Sequence, residues 1–167
     1  MKDYADFYRH LTAPLHQRPW SLRLLRGANW ILTKIMALFY GLLLAFLIWQ
    51  GCLVSLSLTI GLPALAFLLL SFFRTRLNRP RPYETWSIDP LISKSTKGNS
   101  FPSRHVFSAS MISLCLWQVS WILALICLTL SALLAFCRVL GGLHYPKDVL
   151  WGYILGLGVG LFLLIFL

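Results

Sequence analysis

Only Gln50 and Gly51 separate two apolar runs, Ile31–Trp49 and Cys52–Phe73, each long enough to cross a bilayer. A hydrocarbon core about 30 Å thick takes roughly 20 apolar residues in helical form, and there each backbone amide must find its partner inside its own helix. Two such runs back to back therefore leave one fold available, a tight helical hairpin in the membrane. The rest of the chain repeats the pattern. From Val106 to Cys137 it stays apolar for a stretch too long for one comfortable span and just sufficient for two short ones, with the polar notch Gln118-Val119-Ser120 as the turn. A last span runs from about Val149 to Leu167. Trp49, Trp117 and Trp121 flank the turns, where tryptophan favours the membrane–water boundary. Gly152, Gly156 and Gly160, spaced by four, offer a neighbouring helix close approach. The expectation is an all-α membrane protein, a bundle of about five transmembrane helices.

Composition narrows the function classes. With 58% hydrophobic and 12% charged residues and a mean hydropathy of +0.73, the chain is too apolar for a soluble domain of 167 residues. A net charge of +10 would fit a nucleic-acid binder if it were spread over a soluble face. Here the charges, Lys34 apart, gather in the amino-terminal segment and in the polar segments between the apolar runs, so the lipid bilayer is the partner and nucleic acid is not. The four cysteines, Cys52, Cys115, Cys127 and Cys137, show no metal-ligand spacing and read as small buried hydrophobes. No cleavable signal peptide is evident, because the first apolar run continues to the length of a full span. The chain divides into a basic amphipathic amino-terminal segment, residues 1–30, that lies in the interface or re-enters the membrane, and a transmembrane domain, residues 31–167.

With five spans, the amino-terminal segment and the loops 74–104 and 138–148 share one side of the membrane, and the opposite turns carry no charge. Three clusters stand on that charged face. In "RTRLNRPRP" (74–82), four arginines follow a span and two prolines stop its helix. Guanidinium forks suit phosphate oxygens, although such a run also anchors helix ends against anionic lipid. In "PSRH" (102–105), Ser103 stands at the cap position of an apolar helix, whose exposed amides and dipole attract anions, with Arg104 and His105 beside it. In "CRVLGGLHYPKDV" (137–149), Arg138, His144 and Asp148 lie just outside two helix ends. Asp148 either merely caps the last helix or accepts a hydrogen bond from one ring nitrogen of His144 and leaves the other as a nucleophile.

These clusters resemble the three signature motifs of the type 2 phosphatidic acid phosphatase superfamily: Lys-x6-Arg-Pro, Pro-Ser-Gly-His and Ser-Arg-x5-His-x3-Asp. They read here as Arg74-x6-Arg81-Pro82, Pro102-Ser103-Arg104-His105 and Cys137-Arg138-x5-His144-x3-Asp148. The resemblance covers about residues 52–167. Arg74 replaces lysine, Cys137 replaces serine and Arg104 replaces glycine, and the last is expected to add a donor close to the phosphate. The superfamily core commonly has six spans, against the five read here.

The resemblance implies an integral membrane phosphatase acting on a lipid phosphate or diphosphate, with its active site at helix ends on one membrane face and no cofactor or metal. His144 is then the nucleophile, Asp148 its orienting carboxylate and His105 the general acid and base. Arg74, Arg81, Ser103, Arg104 and Arg138 hold the phosphoryl oxygens. Undecaprenyl diphosphate, phosphatidylglycerol phosphate and phosphatidate are the substrate classes implied. A lipid-phosphate phosphotransferase and a catalytically silent lipid-binding protein are the alternatives, and intact His105, His144 and Asp148 argue against the silent one. The expected location is the plasma (inner) membrane. Lys2, Arg9, Arg18, Arg23, Arg26 and Lys34 have no catalytic reason to be basic, and by the positive-inside rule they place the charged face in the cytoplasm. The resemblance favours the outer face.

Overall fold

The computed structural model describes residues 4–93 and 95–167, and Lys2 lies outside them. The described residues form seven α-helices and one 3-10 turn, with no strand. After α1 (Tyr4–His16) the chain breaks at Gln17-Arg18 and enters α2 (Pro19–Trp49), which runs unbroken through Ile31, where hydropathy alone starts the span. Pro19 sets the helix start, because the first-turn amide it lacks has no helical partner anyway. Leu25, Leu32, Met36, Leu43 and Leu47 then bury one continuous stripe at spacings of four and seven. At 1.5 Å per residue α2 is about 46 Å long, so the end bearing Arg18, Arg23 and Arg26 stands beyond the hydrocarbon.

Gly51, at a φ of +69°, makes the two-residue reversal into α3 (Leu53–Leu77). Asn78, also left-handed, closes α3 through its amide on the Arg74 carbonyl, and Pro80 and Pro82 prevent further helix until the short α4 (Pro82–Thr85). Then come α5 (Arg104–Cys115), a 3-10 turn (Leu116–Gln118), α6 (Trp121–Leu140) and α7 (Pro146–Ile165). Ser120 caps α6 by accepting from the Leu123 amide.

Four helices, α2, α3, α6 and α7, are long and apolar enough to cross a membrane. The fifth apolar segment differs from its expected form. Its α-helix has only 12 residues, and from Val106 to Cys115 every residue except Ser108 is buried by protein. A helix sheathed by α2, α3, α6 and α7 has no lipid to face, so the span length that hydrocarbon imposes does not apply to it. The sheath accommodates its serines as well: Ser110 and Ser113 donate to carbonyls of their own helix, and Ser110 also to Tyr153.

Gly152, Gly156 and Gly160 all face α5, against the Ser103 backbone, Ser110 and Leu114 respectively, which is the close approach their spacing predicts. At the far end of the bundle, Gln118 donates to the Thr59 hydroxyl, and Tyr40 donates to the Thr59 carbonyl, so the expected turn is tied to α2 and α3. Of the cysteines, Cys115, Cys127 and Cys137 are buried as read, but Cys52 is exposed, because it sits at the hairpin turn where no helix covers it.

The α1 helix stays on the charged side. The Tyr8 hydroxyl donates to the Leu140 carbonyl and accepts from the Leu91 amide, and Tyr4 packs edge-on against Tyr145. These contacts hold the loop before α5 and the loop before α7 against one another.

A side chain added at Gly152 would meet the Ser103 oxygen at 2.7 Å and its nitrogen at 3.3 Å, whereas one at Gly158 meets nothing within 4 Å. Gly152→Ala therefore lowers the Tm of the detergent-solubilised protein by on the order of 5 °C, and Gly158→Ala leaves it unchanged or slightly higher. Equal Tm values for the two variants would refute the close α5–α7 contact.

Candidate active site

The three clusters converge at one end of the bundle because each lies at the end of a helix that packs on or around α5. Arg74 occupies the last turn of α3, Arg138 the last turn of α6, and Arg81 precedes α4; all three are buried. Carbonyl oxygens and a hydroxyl position them. Arg74 donates to the Pro102 carbonyl at 3.0 Å, Arg81 to Gly98 and Leu143 carbonyls at 3.1 Å each, and Arg138 to the Thr33 hydroxyl at 3.4 Å. None has an acid partner: among the described residues, ion pairs within 4.0 Å are Arg9–Asp6 and His144–Asp148. Burying a guanidinium without a counter-charge is costly, so three together mark a place for an anion. Two further buried groups fit that reading, since the Ser103 hydroxyl and the Arg138 Nε have no hydrogen-bond partner among the described residues.

His144 is 1% exposed, in the loop before α7. Its Nδ1 lies 2.9 Å from the Ser100 carbonyl. A carbonyl only accepts, so Nδ1 carries the proton and Nε2 presents its lone pair. Burial holds the ring's pKa down at about 4, and the positive charges of Arg81 and Arg138 act in the same direction against the opposing effect of Asp148. The imidazole is neutral at neutral pH.

The expected hydrogen bond from His144 to Asp148 is not formed. Asp148 Oδ2 lies 3.9 Å from Nδ1, too far for one; it accepts instead from Ser100 Oγ at 2.5 Å and from the Tyr145 amide at 3.1 Å. Asp148 thus acts as the cap of α7 and as the anchor of Ser100, while its main-chain oxygen accepts from the Ser103 amide at 2.9 Å. Ser100 bridges the pair, with its carbonyl on His144 and its hydroxyl on Asp148. Sequence reading passed over it, since nothing sets it apart from Ser93 and Ser95 in the same loop. Glu84 was passed over too; its carboxylate accepts from the Arg81 and Gly98 amides and fixes the turn that aims Arg81.

His105 and Arg104, on the first turn of α5, face a different space. They line a mostly apolar cavity of about 340 Å³ with Thr33, Met36, Phe67 and Ser108. A second apolar cavity, about 390 Å³, adjoins it through Phe67, Ser108 and Ile112 and reaches Tyr40 and Leu44. Arg104 is exposed and rests over the Phe67 ring, 5.7 Å from its centre, so it is not buried with Arg74, Arg81 and Arg138, although its charge still acts on Arg74. The site therefore offers a buried cationic cradle, a neutral oriented imidazole, a second histidine, and an apolar channel leading away from that second histidine.

Known structures share this fold. The crystal structure of Aquifex aeolicus LpxE superposes with a TM-score of 0.74 at 21% identity, over 96% of this chain and 93% of that one. The crystal structure of a transmembrane PAP2-type phosphatidylglycerolphosphate phosphatase from Bacillus subtilis superposes with a TM-score of 0.65 at 22% identity, over 89% and 77%. At such identities the likeness is one of fold. No curated protein matches the chain. The family model for the PAP2 superfamily matches residues 52–167, the part that carries all three clusters and their helices. The chain belongs to the PAP2 superfamily, and it is a multi-span membrane phosphatase acting on lipid phosphates.

Proposed function

We propose that this protein hydrolyses a lipid phosphate or diphosphate through a phosphohistidine intermediate, without a metal ion, in the plasma (inner) membrane. The observation that carries this reading is the set of three buried arginines with no acid partner around a neutral, oriented histidine. A protein that only bound anionic lipid would need the arginines and not the imidazole.

In the first step the Nε2 lone pair of His144 attacks phosphorus and the bond to the lipid oxygen breaks; His105 gives that oxygen its proton. Arg74, Arg81 and Arg138, with the Ser103 hydroxyl, hold the three equatorial oxygens where charge builds up. In the second step His105, now a base, takes a proton from water as its oxygen attacks phosphorus; the phosphorus–nitrogen bond breaks and inorganic phosphate leaves. Asp148 and Ser100 keep the imidazole in the reactive tautomer and offset the positive charge it gains. The guanidinium groups supply the electrostatic stabilisation that a metal supplies in other phosphoryl-transfer sites. The apolar channel beside His105 receives the tail, so the lipid is dephosphorylated without leaving the bilayer.

His144→Ala lowers kcat on a lipid phosphate by at least about a thousandfold while the protein still elutes as a folded species, and wild-type phosphate release persists in EDTA. Residual activity above about a hundredth of wild type, or loss in EDTA, would overturn the mechanism. Ser100→Ala keeps the carbonyl on His144 but strands Asp148; it lowers kcat about tenfold or more with little change in KM. A change confined to KM would remove Ser100 from the positioning role.

The folded-state pKa of His144 also predicts a pH dependence of stability. The ring ionises near 6.5 in an unfolded chain and near 4 in the folded one, so on acidification the unfolded state takes up the proton first. The stability associated with the neutral ring is whole above about pH 6.5 and is lost as pH falls towards 4. Over that window the Tm of the ligand-free wild type falls more steeply than that of His144→Asn, and parallel slopes would contradict a ring held neutral.

A further inference from the structure

The mechanism leaves unused one of the four arginines expected at the site. Arg74, Arg81 and Arg138 are buried and each is aimed by an oxygen partner, whereas Arg104 is exposed, has neither an acid nor a hydrogen-bond partner among the described residues, rests over the face of Phe67 and lies near enough to Arg74 for their charges to interact. It stands where the resemblance would place glycine, so the cradle for the transferred phosphoryl group does not depend on it. The cavity it lines holds His105 and reaches neither His144 nor Asp148. Phosphoryl transfer keeps the attacking and leaving atoms roughly in line, with His144 on one side of phosphorus and the departing oxygen on the other. The cavity beside His105 is therefore where the leaving group lies, and Arg104 adds a positive charge there.

A second donor faces the same space. Ser108 is one turn deeper on the same side of α5, about 5–6 Å along the helix axis. It lines both apolar cavities, and its hydroxyl has no partner among the described residues, in contrast to Ser110 and Ser113. Of the other polar groups on the first cavity, Thr33 is engaged with the Asn29 carbonyl and with Arg138, and His105 serves the leaving oxygen. A cation and a hydroxyl without partners, a turn apart in an apolar channel, fit a negatively charged group on the leaving lipid and have no use for a plain hydrocarbon.

We infer that Arg104 and Ser108 form a second anion subsite, on the leaving-group side of His105, for a phosphate that the lipid retains after hydrolysis. The preferred substrate then carries two phosphoryl groups and loses the terminal one. This rests on the reading that His144 attacks phosphorus while His105 protonates the departing oxygen. Two lipid classes share the required chemistry: a diphosphate, with the retained phosphate joined through the bridging oxygen, and a phosphatidylglycerol phosphate, with the retained phosphodiester across a glycerol.

The test measures phosphate release by the full chain in neutral detergent from two matched pairs. One pair is a prenyl diphosphate against the prenyl monophosphate of the same chain; the other is phosphatidylglycerol phosphate against phosphatidate with the same acyl groups. Wild type favours the two-phosphate member of at least one pair. Arg104→Gly lowers that ratio of kcat/KM by about tenfold to a hundredfold, the range for a lost hydrogen bond to a charged group, and the pair whose ratio falls identifies the source of the second phosphate. Arg104→Lys, which keeps the charge, loses less, and Ser108→Ala loses about threefold to tenfold of the same ratio. If Arg104→Gly and Arg104→Lys depress both members of each pair equally, Arg104 serves the shared phosphoryl site or bulk lipid and the inference is overturned. If wild type hydrolyses only monophosphates, the inference fails and the hydrolase reading stands. If wild type releases phosphate from none of the four lipids, that reading fails and takes the inference with it.

Discussion

Main-chain carbonyl oxygens organise this protein's functional end. Pro102 holds Arg74, Gly98 and Leu143 hold Arg81, and Ser100 holds His144. These are neutral acceptors, so they direct the cationic side chains without neutralising them. The remaining positive charge is left for an anion, and a carboxylate in the same positions would have cancelled it. The single buried carboxylate of the site, Asp148, follows the same logic: it is engaged by Ser100 and the α7 amide turn, and it lies 3.9 Å from the histidine. It can offset charge that develops on the ring during reaction without quenching the arginines beforehand.

That arrangement requires three loops and four helix ends to be registered closely, and the small central helix makes this possible. The α5 helix is sheathed by protein, so it does not have to match the bilayer. Gly152 and Gly156 bring the α7 backbone against Ser103 and Ser110, and the Ser103 amide reaches the Asp148 carbonyl directly. Within the membrane, where apolar surface gains little from leaving lipid, such backbone-level approach and the interhelical hydrogen bonds at Thr59, Gln118 and Tyr153 supply the cohesion between helices. On the charged face α1 closes the assembly, with Tyr8 pinning Leu91 and Leu140.

The two histidines occupy different media. His144 is sealed among arginines and stays neutral; His105 opens onto an apolar channel that continues past Ser108 towards Tyr40. A lipid phosphate has the same two-part character, a charged head and a hydrocarbon tail, and the boundary between the parts falls at the scissile bond. Under the inference drawn above, Arg104 lies on the tail side of that boundary and its charge bears on which lipid leaves.

Much of this was legible in the chain. The apolar runs had to become helices, because a bilayer offers backbone amides no other partner, and motif spacing brought Arg74, Arg81, Ser103, His105, Arg138, His144 and Asp148 to helix ends on one face. Those are local properties: run length, proline position and the number of residues between charged groups. Other features depended on residues distant in sequence. α5 could be short only because four helices surround it, and no reading of residues 104–118 alone includes its neighbours. Ser100 became the partner of His144 because two loops 44 positions apart meet there, and its donor, its acceptor and its burial all belong to that meeting. Arg104 was read as another phosphate ligand from its place beside His105. In the folded protein its side chain is exposed and lines the cavity that α2, α3 and α6 enclose with α5, while its charge still acts on Arg74. Periodicity and spacing determine what a residue is near along the helix; the direction in which a side chain finds room is decided only when the neighbouring helices have filled the rest.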